Sequence, residues 1–264
     1  KKLLLSMLAV LFIVGAVRVV MSNDSTQIEQ PEITDNNAVN GEKTTETAYN
    51  NTVAVSGNQL RILYNQIRQA NTSSIPLPPP ITQNVIADTR VVQLAERRGY
   101  TLRTEADTEM SFIGGVKLQQ EAINDWITLK QAAADDGIVM NVVSGYRSID
   151  VQRSLFLSRL RAQGVTTQDI IAGTADDKIV EVLKTTAIPG YSKHHSGYTV
   201  DLLCAGTPFE QFNTSTCHEW LSENNYERAF SFGFIPSYPE DADLQGPDPE
   251  AWEYVWVGTE QLYF

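Results

Sequence analysis

The chain has 264 residues, 42% hydrophobic and 20% charged, enough for one domain with a substantial core plus appended segments. Its formal net charge of -12 repels phosphates and so argues against a nucleic-acid partner or an anionic membrane surface. Composition says nothing about oligomeric state.

Lys1 and Lys2 precede an apolar run over residues 3–17, broken by Ser6 and Gly15. Two cations followed by a run this short match the start of a secretory signal and fall short of a typical membrane span. Residues 1–21 are therefore expected to be a signal peptide or an uncleaved N-terminal membrane anchor, and the protein to be exported to the periplasm or cell envelope. Residues 22–58 are rich in Asn, Thr, Glu, Ser and Gln, too polar to offset the entropy of ordering, and read as a tether. Leu60, Leu63, Tyr64 and Ile67 at helical spacing predict one short amphipathic helix over about 59–70. Ile75-Pro76-Leu77-Pro78-Pro79-Pro80 stiffens the chain as polyproline and places a boundary between a tether, 22–80, and a compact domain, 81–264.

Within that domain, Ala122, Ile123, Trp126, Leu129, Ala132 and Ala133 form a stripe that predicts a helix over 118–135, stopped by Gly137. The β-branched run 138–143 reads as a strand leading into Ser144-Gly145-Tyr146-Arg147-Ser148. A helix over 150–161 is expected to turn Val151, Leu155 and Leu160 inward, and another helix to cover 176–186. The order of elements predicts an α+β domain with a small, mostly antiparallel sheet and flanking helices. Arg147 sits at the end of a buried-type strand, and its fork of donors suits a carboxylate or a developing oxyanion.

The stretch Ser192-Lys193-His194-His195-Ser196-Gly197-Tyr198-Thr199-Val200-Asp201 carries the sharpest chemistry. An imidazole and a carboxylate are both good zinc ligands. Gly197 lets the backbone turn, and a strand over 198–203 then puts Tyr198, Val200 and Leu202 on one face and Thr199, Asp201 and Leu203 on the other. The pattern Ser-x-His-x-x-Gly-x-x-x-Asp resembles the signature of the VanY-type zinc D-alanyl-D-alanine carboxypeptidases, with Thr199 where that family usually has Ala. The resemblance implies that His194 and Asp201 bind Zn2+. Ser-Gly-Tyr-Arg-Ser followed by Gln152 is also similar to that family, where the arginine lies near the substrate peptide.

Cys204 and Cys217 are the only cysteines. In an exported protein an even pair closing a short loop reads as a disulfide. Glu219, Trp220, Leu221, Tyr226 and Phe230 indicate a helix opening there, which makes His218 a solvated or N-terminal helix residue.

Near the end, Glu250-Ala251-Trp252-Glu253 resembles the family's third motif, Glu-x-Trp-His, in which Glu is the general base and His the third zinc ligand. Glu250 matches the base, and Glu253 stands where the histidine is expected. Glutamate is itself a legitimate zinc ligand, so a His194, Asp201, Glu253 site is one reading and a non-catalytic peptidoglycan-binding module the other. The resemblance, spanning about 91–258, implies zinc-dependent hydrolysis of the terminal D-Ala peptide bond of peptidoglycan stem peptides. Glu250 would be the base and Arg147 the oxyanion stabiliser, with Ser192, Gln152 and Trp252 as candidates to hold substrate. An L,D-carboxypeptidase would use the same motifs.

Overall fold

The structure, a computed structural model, describes residues 55–262. The expected signal or anchor and most of the polar tether lie outside the described residues. Among the described residues no helix is long and apolar enough to cross a membrane.

In chain order the elements are α1 (Gly57–Gln66), β1 (Thr72–Ser74), α2 (Val85–Arg97), β2 (Thr104–Ala106), β3 (Ser111–Ile113), β4 (Val116–Leu118), α3 (Gln120–Asp135) and β5 (Met140–Ser144). They continue with α4 (Ile149–Ala162), α5 (Thr167–Ala172), α6 (Asp176–Leu183), β6 (Thr199–Cys204), α7 (Thr216–Phe230), β7 (Phe234–Tyr238) and β8 (Glu250–Trp256). The architecture is α+β. Its centre is a four-stranded antiparallel sheet in the order β5-β6-β8-β7, and β1–β2 and β3–β4 form two small antiparallel pairs. Between β3 and β4 the chain reverses through Gly114 and Gly115, both at positive φ, a geometry that glycine adopts without steric cost and that matches strand twist in tight hairpins.

The sheet is an amphipathic surface. Val200, Leu202 and Tyr254 pack with Trp126 and Leu129 of α3 and Leu221 of α7. A second, helical core brings together Val91 of α2, Phe156 of α4 and Ile179 and Leu183 of α6. Burial of each such side chain is worth roughly 1.5–3 kcal/mol. Cys204 at the end of β6 is disulfide-bonded to Cys217 in the first turn of α7, with Cα atoms 5.7 Å apart.

Two expectations are corrected here. Among the described residues α1, the short helix expected within the 22–80 tether, packs on the domain rather than extending from it. Its Leu60 is buried with Tyr198, Ile235 and Val255 of the sheet region, and its first N–H, from Gly57, donates to Asp241. The proline-rich stretch runs along the domain, with Ile75 N–H donating to the Arg103 carbonyl and Arg153 Nε donating to the Pro80 carbonyl. In α4 the inward residues are Gln152, Phe156 and Leu160, while Val151 is exposed and Leu155 half-buried. The face was set by Phe156, whose larger apolar area outweighs that of Val151 in choosing which side of the helix is buried.

Candidate active site

Strands β5, β6 and β8 deliver the site. Strand register pairs Asp201 of β6 directly with Glu253 of β8, and Ser144 of β5 with Asp201. Directly opposed residues in an antiparallel pair share a face with Cβ atoms about 5 Å apart, so the two carboxylates meet. Glu250 precedes Glu253 by three positions, which in a regular strand would send it to the other face. The β7–β8 register shifts at this point, with Pro236 opposite Tyr254 but Tyr238 opposite Glu250. Both glutamates accordingly line one cavity of about 410 Å³, together with Arg147, Ser192, His194 and Asp201.

His194 lies on a short 3-10 turn, Lys193–Ser196, whose first residue is preceded by the cap Ser192; the Ser192 hydroxyl accepts from the His194 N–H at 3.3 Å. Gly197 ends the turn at φ +77°, and a Cβ there would meet Met110 Sδ at 2.6 Å. The turn and the loop after β5 clasp each other. His194 Nδ1 is 2.6 Å from the Gly145 carbonyl oxygen, and Arg147 N–H donates to the His194 carbonyl. A carbonyl can only accept, so Nδ1 carries a proton, and Nε2 faces the cavity, where a metal or a second proton competes for its lone pair. Gly145 has no room for a side chain, since its Cβ would sit 2.6 Å from the Lys117 carbonyl oxygen.

His194 Nε2 is 3.5 Å from Asp201 Oδ1 and 3.2 Å from Glu253 Oε2, and the three ligand atoms all lie within 4.8 Å of one another. Burial disfavours the imidazolium, but the two carboxylates outweigh it and raise His194 to about 9. Burial likewise pushes Glu253 upward, and His194 overrides this to bring it down to about 2. Glu250, buried and beside the Glu253 charge, is pushed well above the ordinary carboxylate range. The donor set fits a divalent cation: one fixed imidazole nitrogen and two buried carboxylates, with Glu253 Oε1 buried and, among the described residues, without a hydrogen-bond partner.

Arg147 reaches the same point, with Nη2 3.8 Å from Asp201 Oδ2. Gln152, expected to hold substrate, is buried in α4. Its Oε1 accepts from Arg147 Nη1 at 2.8 Å and its Nε2 donates to the Ala187 carbonyl, so it braces the arginine and does not line the cavity. Trp252 is half-buried on the cavity wall against Phe209, ring centroids 4.9 Å apart. His195 faces away from the cluster, as its neighbour relation to His194 predicts: Nδ1 donates to the Arg147 carbonyl and Nε2 accepts from Gly190 N–H. His218 is a half-buried residue in the first turn of α7.

Sequence reasoning missed Lys193. Its buried ammonium lies 4.3 Å from the Tyr64 ring of α1 and 4.1 Å from the Tyr238 ring, and it donates to the Ser237 carbonyl. Nothing in a lone lysine signals such a box, because its walls come from positions well over a hundred residues apart in the sequence.

Residues 115–259, more than half of the chain, match the family model described as VanY: D-alanyl-D-alanine carboxypeptidase. The chain belongs to this family. One relative, a D-alanyl-D-alanine carboxypeptidase of Enterococcus faecalis, is 32% identical over 136 residues, covering 50% of this chain and 45% of the relative. Among solved structures, a mutant of the vancomycin-resistance D,D-pentapeptidase VanY in complex with Zn(II) is 29% identical, covering 58% of this chain and 81% of that one, with a TM-score of 0.45. VanYB in complex with D-alanine-D-alanine is 28% identical over 58% of this chain and 80% of that one, TM-score 0.46. The chain spans about half the length of the curated relatives it matches.

Proposed function

We propose that this VanY-family chain is an exported zinc D,D-carboxypeptidase that removes the terminal D-Ala from peptidoglycan stem peptides. The observation that carries this reading is the convergence of His194 Nε2, Asp201 and Glu253 within 4.8 Å in the cavity that also holds Glu250 and Arg147. In this reading His194, Asp201 and Glu253 hold the ion. Zinc bound there supplies a Lewis acid for the scissile carbonyl and an acidified water.

The residues of the chain account for the rest. Glu250 accepts the proton of the attacking water and returns it to the leaving amine, a task suited to a carboxyl whose proton affinity is raised by burial. Arg147 offers its fork to the tetrahedral oxyanion, and Gln152 and the Ser144 hydroxyl hold it in place. Ser192 sets the His194 turn, and Trp252 with Phe209 gives the peptide an apolar wall. Residues 1–21 fit a signal or anchor, and a disulfide fits an oxidising compartment.

The test is incubation of the purified protein, with and without zinc, with defined tetra- and pentapeptide stems, followed by mass measurement of the products. Zinc-dependent loss of one D-Ala from the pentapeptide is expected. Loss from the tetrapeptide alone would make the protein an L,D-carboxypeptidase, and binding without cleavage a wall-binding module.

A further inference from the structure

Resting on that reading, we propose that Arg159 selects stem peptides carrying a free carboxylate on the second or third residue before the scissile bond. Arg159 lines the same cavity as His194, Asp201 and Glu253. It follows Gln152 by seven positions on α4, two helical turns, and therefore emerges from nearly the same face about 10 Å further along the axis. Gln152 is the residue that grips Arg147, so α4 is a ruler with the reaction centre at one end and Arg159 at the other.

An extended peptide advances about 3.4 Å per residue, so roughly three residues span this distance. Only one residue follows the scissile bond in the proposed substrate, which is too short to fill the length. The acyl side of the peptide is what reaches Arg159. Leu155, one turn before Arg159, and Thr185 and Thr186 beyond α6 line the cavity as well, giving that stretch an apolar side and two hydroxyls.

The guanidinium itself is uncommitted: among the described residues Arg159 makes no ion pair or side-chain hydrogen bond, whereas Arg90, Arg98, Arg153 and Arg228 are each matched to a carboxylate. Glu210, an exposed carboxylate that also lines the cavity, follows Phe209 and so belongs to the Trp252 wall. A planar, permanently charged fork at the edge of a peptide cavity is matched bidentately by a carboxylate and poorly by a carboxamide.

Stem peptides offer such a carboxylate in two places, on the side chain of the diamino acid and on the α-carbon of the γ-linked glutamate. Two pairs of synthetic stem pentapeptides separate these sources, each pair differing by carboxylate against carboxamide at one of the two positions. With the zinc-loaded full chain, one pair is expected to show a kcat/KM preference for the carboxylate of roughly ten- to a hundredfold, as for a hydrogen bond to a charged group. In Arg159→Gln the two members of that pair should be turned over alike, and Arg159→Lys should retain part of the preference. Equal turnover of both pairs by the wild type, or a preference that survives in Arg159→Gln, overturns the proposal. If no peptide is cleaved, the proposed activity fails separately, and calorimetric affinities of the same four peptides decide instead. An Arg159-dependent carboxylate preference in binding upholds the selection, and its absence overturns it.

Discussion

Asp201 and Glu253 stand directly opposite each other on neighbouring antiparallel strands, both buried. Like charges at such a position repel, and removed from water they are costly unless a positive charge sits between them. His194 Nε2 is aimed at both. A proton on that nitrogen meets the requirement in the absence of metal, and a divalent cation meets it with more charge, so metal and proton compete for the same place.

Glu253→Ala should therefore lower zinc affinity by at least about a hundredfold, the upper end of what loss of a mere supporting partner costs. Glu253→His should keep the metal. Equilibrium dialysis with zinc quantified in the protein compartment distinguishes these, and undiminished binding by Glu253→Ala would remove Glu253 from the ligand set.

Glu250→Gln preserves shape while abolishing the ability to accept a proton. Turnover of the pentapeptide should fall on the order of a hundredfold or more, with zinc stoichiometry unchanged. Near-normal turnover would show that another group takes the proton.

The disulfide ties the end of β6, three residues beyond Asp201, to α7. Alkylation of the denatured, unreduced protein should leave both Cys204 and Cys217 unlabelled. Replacing both with alanine should cost roughly 3 kcal/mol on the chain-entropy estimate, read as a lower denaturant midpoint.

His195 gives stability a pH dependence. Burial lowers its folded value from 6.5 to about 4, so between those values the unfolded chain binds the proton that the folded chain refuses. Its contribution is complete above pH 6.5 and is lost as pH falls toward 4, amounting to at most about 3 kcal/mol. Protonation also removes the acceptor for Gly190 N–H. Urea midpoints measured from pH 7 to 4.5 should fall less steeply in His195→Asn than in the wild type. Parallel slopes would mean that His195 does not titrate in this way.

The sequence by itself singled out the candidate residues His194, Asp201, Glu250 and Glu253 that share the cavity, because each motif is local: a turn ended by a glycine, a strand alternating about Asp201, and a glutamate three positions before Glu253. Helical stripes such as Ala122 to Ala133 were equally legible, since their periodicity reflects one buried face. Only the tertiary structure decided what the motifs become together. Whether Glu253 meets His194 depends on the β6–β8 register, and whether Glu250 shares its face depends on a register shift against β7; both are pairings between distant segments that leave no periodic trace. The packing of α1 was likewise decided only in three dimensions: its stripe of Leu60, Leu63, Tyr64 and Ile67 predicts the helix, but the surface it covers lies far off in the sequence, so it reads as a helix within the tether. Its few apolar residues suffice because Leu60 and Tyr64 find partners in Ile235, Val255 and Lys193, and burial against a surface already formed by the rest of the chain costs far less entropy than building a core alone.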